Sequence, residues 1–190
     1  MKVTGILLAG GKSSRMGSDK ALLTIGPITF IEHLTSLLKQ VCDEIIIVGE
    51  DRNIENLDVT YLPDLESDKG PLMGILTGLA ASKSEINLIL SIDSPLLNLS
   101  DLESIINKHN SSFNVTLFKS EKIHPFPGVY NKKLVSKAEE AIKKNQLRLT
   151  EFIKINNPQI IKANPQTSLR LENINTPEDY KRIFENEVRD

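Results

Sequence analysis

Val3-Thr4-Gly5-Ile6-Leu7-Leu8-Ala9-Gly10-Gly11-Lys12-Ser13-Ser14-Arg15-Met16-Gly17-Ser18-Asp19-Lys20 joins a short apolar run to a stretch of glycine, serine and cationic residues. The continuous apolar run from Val3 to Leu8 predicts a strand buried on both faces, as in a parallel sheet. Beyond it, glycines let backbone N–H groups turn inward and approach an anion closely. Lys12, Arg15 and Lys20 supply the charge to neutralise a polyphosphate. Two other phosphate-binding patterns are excluded. A P-loop requires glycine five positions before the Gly11-Lys12-Ser13 triplet, where this chain has Ile6, and the dinucleotide pattern G-x-G-x-x-G is absent. The loss of that second pattern also removes a Rossmann oxidoreductase.

Outward from this stretch, apolar runs alternate with amphipathic segments. Thr29-Phe30-Ile31-Glu32 has capping-box form, and Ile31, Leu34, Leu37, Leu38 and Val41 repeat at helical spacing. Buried strands are predicted over Glu44 to Val48 and Asn87 to Ile92, with a shorter one over Val59 to Leu62. A helix is predicted from Leu72 to Ala81, and a second capping box at Ser100-Asp101-Leu102-Glu103 opens another toward His109. Further strands are expected over Asn114 to Phe118 and Pro127 to Tyr130, and helices over Lys133 to Lys144 and Thr150 to Ile155. Thr176-Pro177-Glu178-Asp179 is a helix start, with a hydroxyl cap, proline in the first turn and acids beside the positive helix end. The alternation predicts an α/β fold with a mostly parallel sheet covered on both faces. In such sheets ligands bind beyond the carboxyl ends of the strands.

Composition narrows the function. The chain has 190 residues, with 23 Lys+Arg against 25 Asp+Glu and a formal charge of −2. That balance argues against a broad nucleic-acid-binding face. One domain over residues 1–190 is expected at this length. Cys42 is the only cysteine, so no disulfide can form within the chain, and a reducing cytoplasmic compartment is the expectation. The N-terminal apolar run is too short for a signal segment or a membrane span. His33 and His109 fall in helical patterns and read as surface or core-edge residues, and Cys42 as packing.

Leu90-Ser91-Ile92-Asp93-Ser94-Pro95 puts a carboxylate at the end of a buried strand. Asp93 is either a hard oxygen ligand for Mg²⁺, which binds one or two carboxylates plus phosphates and waters, or the start of a turn. Pro63-Asp64, then Gly70-Pro71-Leu72-Met73-Gly74, combine a turn acid with a glycine-bearing helix entry. Ile123-His124-Pro125, Gln146-Leu147-Arg148 and Glu172-Asn173-Ile174-Asn175-Thr176-Pro177 each place polar side chains beside a turn or helix start.

Together these segments resemble the signature of nucleotidyltransferases with the sugar-nucleotide pyrophosphorylase fold, and most closely the molybdenum cofactor guanylyltransferase family. The resemblance rests on Leu8-Ala9-Gly10-Gly11-x-Ser13-x-Arg15-Met16-Gly17-x-Asp19-Lys20, the Gly70-Pro71-Leu72-x-Gly74 segment, Asp93-x-Pro95, His124-Pro125 and Asn173-x-Asn175-Thr176-Pro177. It implies a three-layer αβα Rossmann-like nucleotidyltransferase with a mostly parallel, mixed sheet. The N-terminal half would bind the nucleotide and the C-terminal half the acceptor. Leu8, Ala9, Gly10, Gly11, Lys20, Asp64, Gly70, Gly74 and Asp93 would contact the nucleotide. Arg15, Lys20 and Asp93 would be catalytic, with Asp93 holding Mg²⁺. His124, Arg148, Asn173 and Asn175 would meet the acceptor. At Val48-Gly49, where the family often carries a polar residue, this chain offers only backbone groups. Ile92 replaces a frequent cysteine. The implied reaction transfers GMP from GTP to molybdenum-bearing molybdopterin, with transient contact with molybdopterin-carrying or apo-molybdoenzyme proteins, and with no role for nucleic acid or membrane. Two alternatives stand beside it: a related enzyme using CTP or another small phosphorylated acceptor, and a non-catalytic GTP-binding protein of the same fold.

Overall fold

The structure is a computed structural model that describes residues 2–10, 19–52, 58–63 and 69–185. The described chain runs β1 (Val3–Leu8), a 3₁₀ turn (Lys20–Leu22), β2 (Thr24–Ile25), β3 (Ile28–Thr29), α1 (Phe30–Val41), β4 (Glu44–Val48), β5 (Thr60–Leu62), α2 (Pro71–Ala81), β6 (Ile86–Ser91), α3 (Leu99–Lys108), β7 (Val115–Lys119), β8 (Ile123–Asn131), α4 (Leu134–Lys143), α5 (Leu149–Ile155), β9 (Pro158–Lys162), α6 (Pro165–Arg170) and α7 (Pro177–Tyr180). Seven strands form one sheet in the order β5-β4-β1-β6-β8-β7-β9, and β2 and β3 form a separate hairpin. Within the seven-stranded sheet only β8 runs against its neighbours, and the other pairings there are parallel.

The apolar strand runs are continuous because both faces are covered. On β1, Val3 and Leu7 face α1 and α3, packing with Leu34, Leu38, Leu102 and Ile105. Ile6 and Leu8 face α2, α4 and α5, packing with Leu72, Ile75, Leu134 and Phe152. The predicted αβα layering is therefore what the chain adopts. The Thr29–Glu32 capping box forms as expected, with each residue's side chain bonded to the other's backbone N–H. The start at Thr176 forms likewise, with Asp179 as its partner.

Two segments differ from the sequence reading. The capping box of α3 is Asn98 with Asp101, not Ser100 with Glu103; Ser100 lies inside the first turn and its hydroxyl donates to Asn98 Oδ1 at 2.9 Å. Starting the helix at Asn98 turns Asp101 inward, where its carboxylate accepts a bidentate pair from Arg170 (2.7 and 2.9 Å) and a bond from Thr167 (2.8 Å). β8 extends well before Pro127, with its register against β7 shifting between Leu117 and Phe118. Pro125 and Pro127 donate no N–H, and an irregularity of this kind accommodates them. The hairpin β2–β3, edge strand β9 and helix α6 carry no prediction from sequence.

Two outcomes follow from this packing. A Cβ on Gly128 would lie 2.6 Å from the Pro125 carbonyl and 2.6 Å from the Tyr130 ring. Gly128→Ala should cost about 2–3 kcal/mol by overpacking and lower Tm by roughly 4–12 °C, measured by calorimetry. The second concerns acid. Burial pushes the Asp101 carboxyl up, but hydrogen bonds from Arg170, Thr167 and the Asn98 backbone, with the Arg170 charge, hold it below the usual carboxylate value. A depressed folded-state value means that this stabilisation is present above the unfolded value of about 3.9 and is lost as pH falls through the folded one. Asp101→Asn should cost about 3 kcal/mol at pH 7 by leaving Arg170 without its carboxylate. Urea unfolding should show that gap narrowing below about pH 4.

Candidate active site

The parallel register aligns four strand exits on one edge. Leu8 pairs with Val48 and with Ser91, and Val48 with Leu62. The ladder continues one residue past each end: the Ala9 amide donates to Val48 O, the Ile92 amide to Leu8 O and the Gly49 amide to Leu62 O. Ala9, Gly10, Gly49, Pro63 and Asp93 thus leave the sheet side by side. The N-terminus of α2, with Gly70 as its cap, opens at the same edge and directs its positive end there.

The two backbones nearest the centre of this edge are in close contact. Gly49 has φ of +147°, and a Cβ there would lie 2.8 Å from both Ala9 C and Gly10 N. Glycine is required at this position by both conformation and space. Gly70 needs its glycine for backbone angle alone, with φ of +68° and nothing near a would-be Cβ. Gly74 is packed differently. Its would-be Cβ lies 3.2 Å from Leu8 Cδ2, so its small size draws α2 onto the end of β1.

Four of the expected residues converge. Lys20 Nζ donates to Asn175 Oδ1 at 2.8 Å. Asn173 Nδ2 donates to Asp93 Oδ2 at 3.3 Å, and Ser94 Oγ donates to Asn173 Oδ1 at 3.1 Å. Between the two asparagines, Ile174 is fully buried and its amide donates to Asp93 O at 2.8 Å. The buried isoleucine holds an extended Asn-Ile-Asn segment against the exit of β6, and the alternating side chains on either side reach Asp93 and Lys20. Asn173 and Asn175, expected at the acceptor, are placed here against the two residues expected to act on the nucleotide phosphates. Gly11, Arg15 and Asp64 lie outside the described residues.

The remaining acceptor candidates separate. His124 is buried at the start of β8, its Nε2 2.7 Å from Ser120 Oγ. Burial, with the nearby Lys122 charge, lowers its pKa against a raising hydrogen bond to the Leu171 backbone, which keeps the imidazole neutral at pH 7. Lys119 and Lys162 pair in register on β7 and β9 at this side of the edge and line a cavity of about 560 Å³ with Ser120 and Asn164. Arg148 is exposed on the opposite face of the sheet, beside a cavity of about 420 Å³ lined by Leu147, Phe152 and Ile155. His33 Nε2 lies 3.3 Å from Leu97 O and His109 Nδ1 lies 2.8 Å from Thr116 Oγ1.

Asp93 suits Mg²⁺. It is half-exposed, at a strand exit, with neutral neighbours on its carboxylate, and no group of three His, Cys, Asp or Glu side chains arranged for a metal occurs among the described residues. A single carboxylate serves an ion that draws its other ligands from phosphates and water.

One arginine escaped the sequence reading. Arg52, beyond the end of β4, bonds Asp19 at 2.6 and 3.1 Å, Ala9 O at 3.2 Å and Glu50 O at 2.9 Å. A cation a few residues past a strand exit is the one signal it leaves in the sequence.

Residues 5–159 match the MobA-like NTP transferase domain. The chain belongs to that family. It is 36% identical over 178 residues to a Flavobacterium johnsoniae protein named probable molybdenum cofactor guanylyltransferase, covering 93% of this chain and 94% of the relative. It is 29% identical over 189 residues to the molybdenum cofactor guanylyltransferase of Haemophilus influenzae, covering 95% and 96%. Its fold matches that of molybdopterin-guanine dinucleotide biosynthesis protein A from Archaeoglobus fulgidus with a TM-score of 0.81 at 19% identity, covering 98% of this chain and all of that one. The sequence expectations of family and fold hold. No described helix is long and apolar enough to cross a membrane.

The contact between Gly49 and the exit of β1 makes a test. Gly49→Ala must displace Ala9 and Gly10, and misplacement on the scale of 1 Å can cost roughly 100-fold in this kind of catalysis. The variant should keep its far-UV CD spectrum while kcat/KM for the triphosphate falls about 10- to 100-fold in a pyrophosphate-release assay.

Proposed function

We infer that the protein is a molybdenum cofactor guanylyltransferase, transferring GMP from GTP to the phosphate of molybdenum-bearing molybdopterin and releasing pyrophosphate. The observation that carries this reading is the convergence of Lys20, Asp93, Asn173 and Asn175 at the strand exits of a MobA-like NTP transferase domain. Relatives bearing that name match it over nearly their whole length.

The chemistry asks little covalent work of the protein. The acceptor phosphate is already anionic near neutral pH, so no general base is needed, and positioning and charge stabilisation dominate. The amides of Gly10 and Gly11, beyond the Ala9 amide that is bonded to Val48 O, would approach the triphosphate. Lys20, with Arg15, would stabilise negative charge on the α-phosphate and the departing pyrophosphate. Asn175 would orient the Lys20 ammonium and Asn173 the Asp93 carboxylate. Held by Asp93, Mg²⁺ would neutralise charge on the phosphate oxygens. Asp64, Gly70 and Gly74 would line the nucleotide's approach.

The chain would act as one domain, its N-terminal half taking the nucleotide. The acceptor would lie toward β8, β7 and β9, where His124 and the paired lysines flank the edge. Arg148, exposed at the start of α5 in the opposite helical layer, would meet the acceptor from that side. A cytoplasmic location and handover to molybdopterin-carrying or apo-molybdoenzyme proteins complete the reading.

Pyrophosphate release should be measured with GTP, CTP, ATP and UTP, molybdenum-molybdopterin and Mg²⁺. GTP should be preferred, and a chelator should abolish turnover. Lys20→Ala and Asp93→Ala should each lower kcat by at least about 100-fold while the CD spectrum is kept. Preference for CTP would overturn the guanylyl assignment, and full turnover in Asp93→Ala would remove the metal ligand.

A further inference from the structure

Arg52 makes four hydrogen bonds, and they join three separate parts of the chain. Nε and Nη2 donate to the two oxygens of Asp19, Nη2 also to Ala9 O, and Nη1 to Glu50 O. Ala9 is where the chain leaves β1, Asp19 is the residue before Lys20, and Glu50 follows the exit of β4. The Arg52 side chain is only 11% exposed, so its ion pair with Asp19 is screened far less than a surface pair.

Asp19 passes the constraint onward. Its Oδ1 also accepts the Ala21 amide at 3.0 Å, capping the 3₁₀ turn that carries Lys20. The order of contacts is therefore Arg52 to Asp19, Asp19 to the turn, the turn to Lys20, and Lys20 to Asn175 beside the Asp93 exit. Partial burial pushes the Asp19 carboxyl up, yet hydrogen bonds from Arg52 and the Ala21 amide and the Arg52 charge hold it below its ordinary value, so it stays ionised at neutral pH.

We propose that Arg52 is a positioning residue for nucleotidyl transfer: its guanidinium ties Ala9, where the glycine-rich segment begins, to Asp19, where it ends, and thereby sets the place from which Lys20 meets the nucleotide phosphates. Four of its five N–H donors are directed at protein acceptors, so it acts through Asp19 and Lys20 rather than by touching substrate. Lysine cannot replace it. A planar fork of five N–H groups spans a carboxylate and two carbonyls at once, whereas an ammonium presents three donors from one point.

The proposal rests on the assignment of Lys20 to the triphosphate, and the experiment separates the two. Pyrophosphate release is measured for wild type, Arg52→Lys, Asp19→Asn, the double variant and Lys20→Ala, varying GTP and molybdenum-molybdopterin in turn, with Tm recorded for each. Arg52→Lys and Asp19→Asn should each lower kcat/KM for GTP about 10- to 100-fold while the acceptor KM stays within about twofold. Because both remove one contact, the double variant should be no worse than about the weaker single. The near-isosteric Asp19→Asn carries the test if Arg52→Lys folds poorly. Wild-type kcat/KM for GTP in Arg52→Lys, losses that multiply in the double variant, or parallel losses for both substrates that track Tm would each overturn the proposal. Wild-type turnover in Lys20→Ala would instead overturn the site assignment beneath it; an inactive Lys20→Ala beside an unaffected Arg52→Lys would remove only the role of Arg52.

Discussion

The parallel pairing of β1 with β4 and β6 is the constraint on which the site depends. In parallel strands the hydrogen bonds are evenly spaced and the chains leave the sheet in the same direction. Once Leu8 pairs with Val48 and Ser91, the residues that follow have no freedom to separate. Ala9 and Ile92 each continue the ladder by one bond, which brings the backbones of Ala9, Gly49 and Ile92 to a common edge before any side chain is considered. The register is in turn fixed by burial. A slip of one residue would exchange Ile6 and Leu8 with Leu7 and expose the wrong volumes to both helical layers. Two cores therefore specify the geometry of the site at their margin.

Residues distant in sequence reach this edge through separate fastenings. Asp101 is fully buried and grips Arg170 and Thr167 from α3, which fixes α6 and the chain that leaves it toward Leu171. From the other side, Phe30, Tyr180 and Phe184 form a cluster of mutually tilted rings at centroid distances of 5.2–6.2 Å, and the Tyr180 hydroxyl donates to Thr24 O. Between these anchors lies Asn173-Ile174-Asn175. Its asparagines are exposed, and its position is set by those flanks and by the buried Ile174 rather than by the asparagines' own bonds.

How much of this is legible before folding depends on the range of the interaction. The strands of the buried sheet, the Thr29 and Thr176 caps and the carboxylate at the exit of β6 each announce themselves within a few residues, because local pattern and final environment agree. β8 does not, since Pro125 and Pro127 interrupt the strand pattern and only the shift against β7 makes room for them. Ser100 and Glu103 satisfy the capping rule as well as Asn98 and Asp101 do; the choice is made by Arg170 and Thr167, more than sixty residues away. Asn173 and Asn175 were visible as polar residues before a helix, but Lys20 lies 155 positions from Asn175. Arg52 was hidden for the same reason, since an arginine in a loop looks like solvated surface until Asp19 and Ala9 arrive beside it.

The chemistry of the partners explains why asparagine, a neutral side chain that can both accept and donate, stands at both positions. Asn175 accepts from the Lys20 ammonium and Asn173 donates to the Asp93 carboxylate, and neither adds a countercharge. Each orients an ionised group while contributing nothing that a phosphate or a cation would have to displace electrostatically. Asp19 and Arg52 are arranged the opposite way, as a charge-matched, partly buried pair. A pair of that kind suits a joint, because it is strong and its field nearly cancels at a distance. The edge thus divides its polar residues by task. Matched charges hold the backbone, and neutral amides aim the charges that remain.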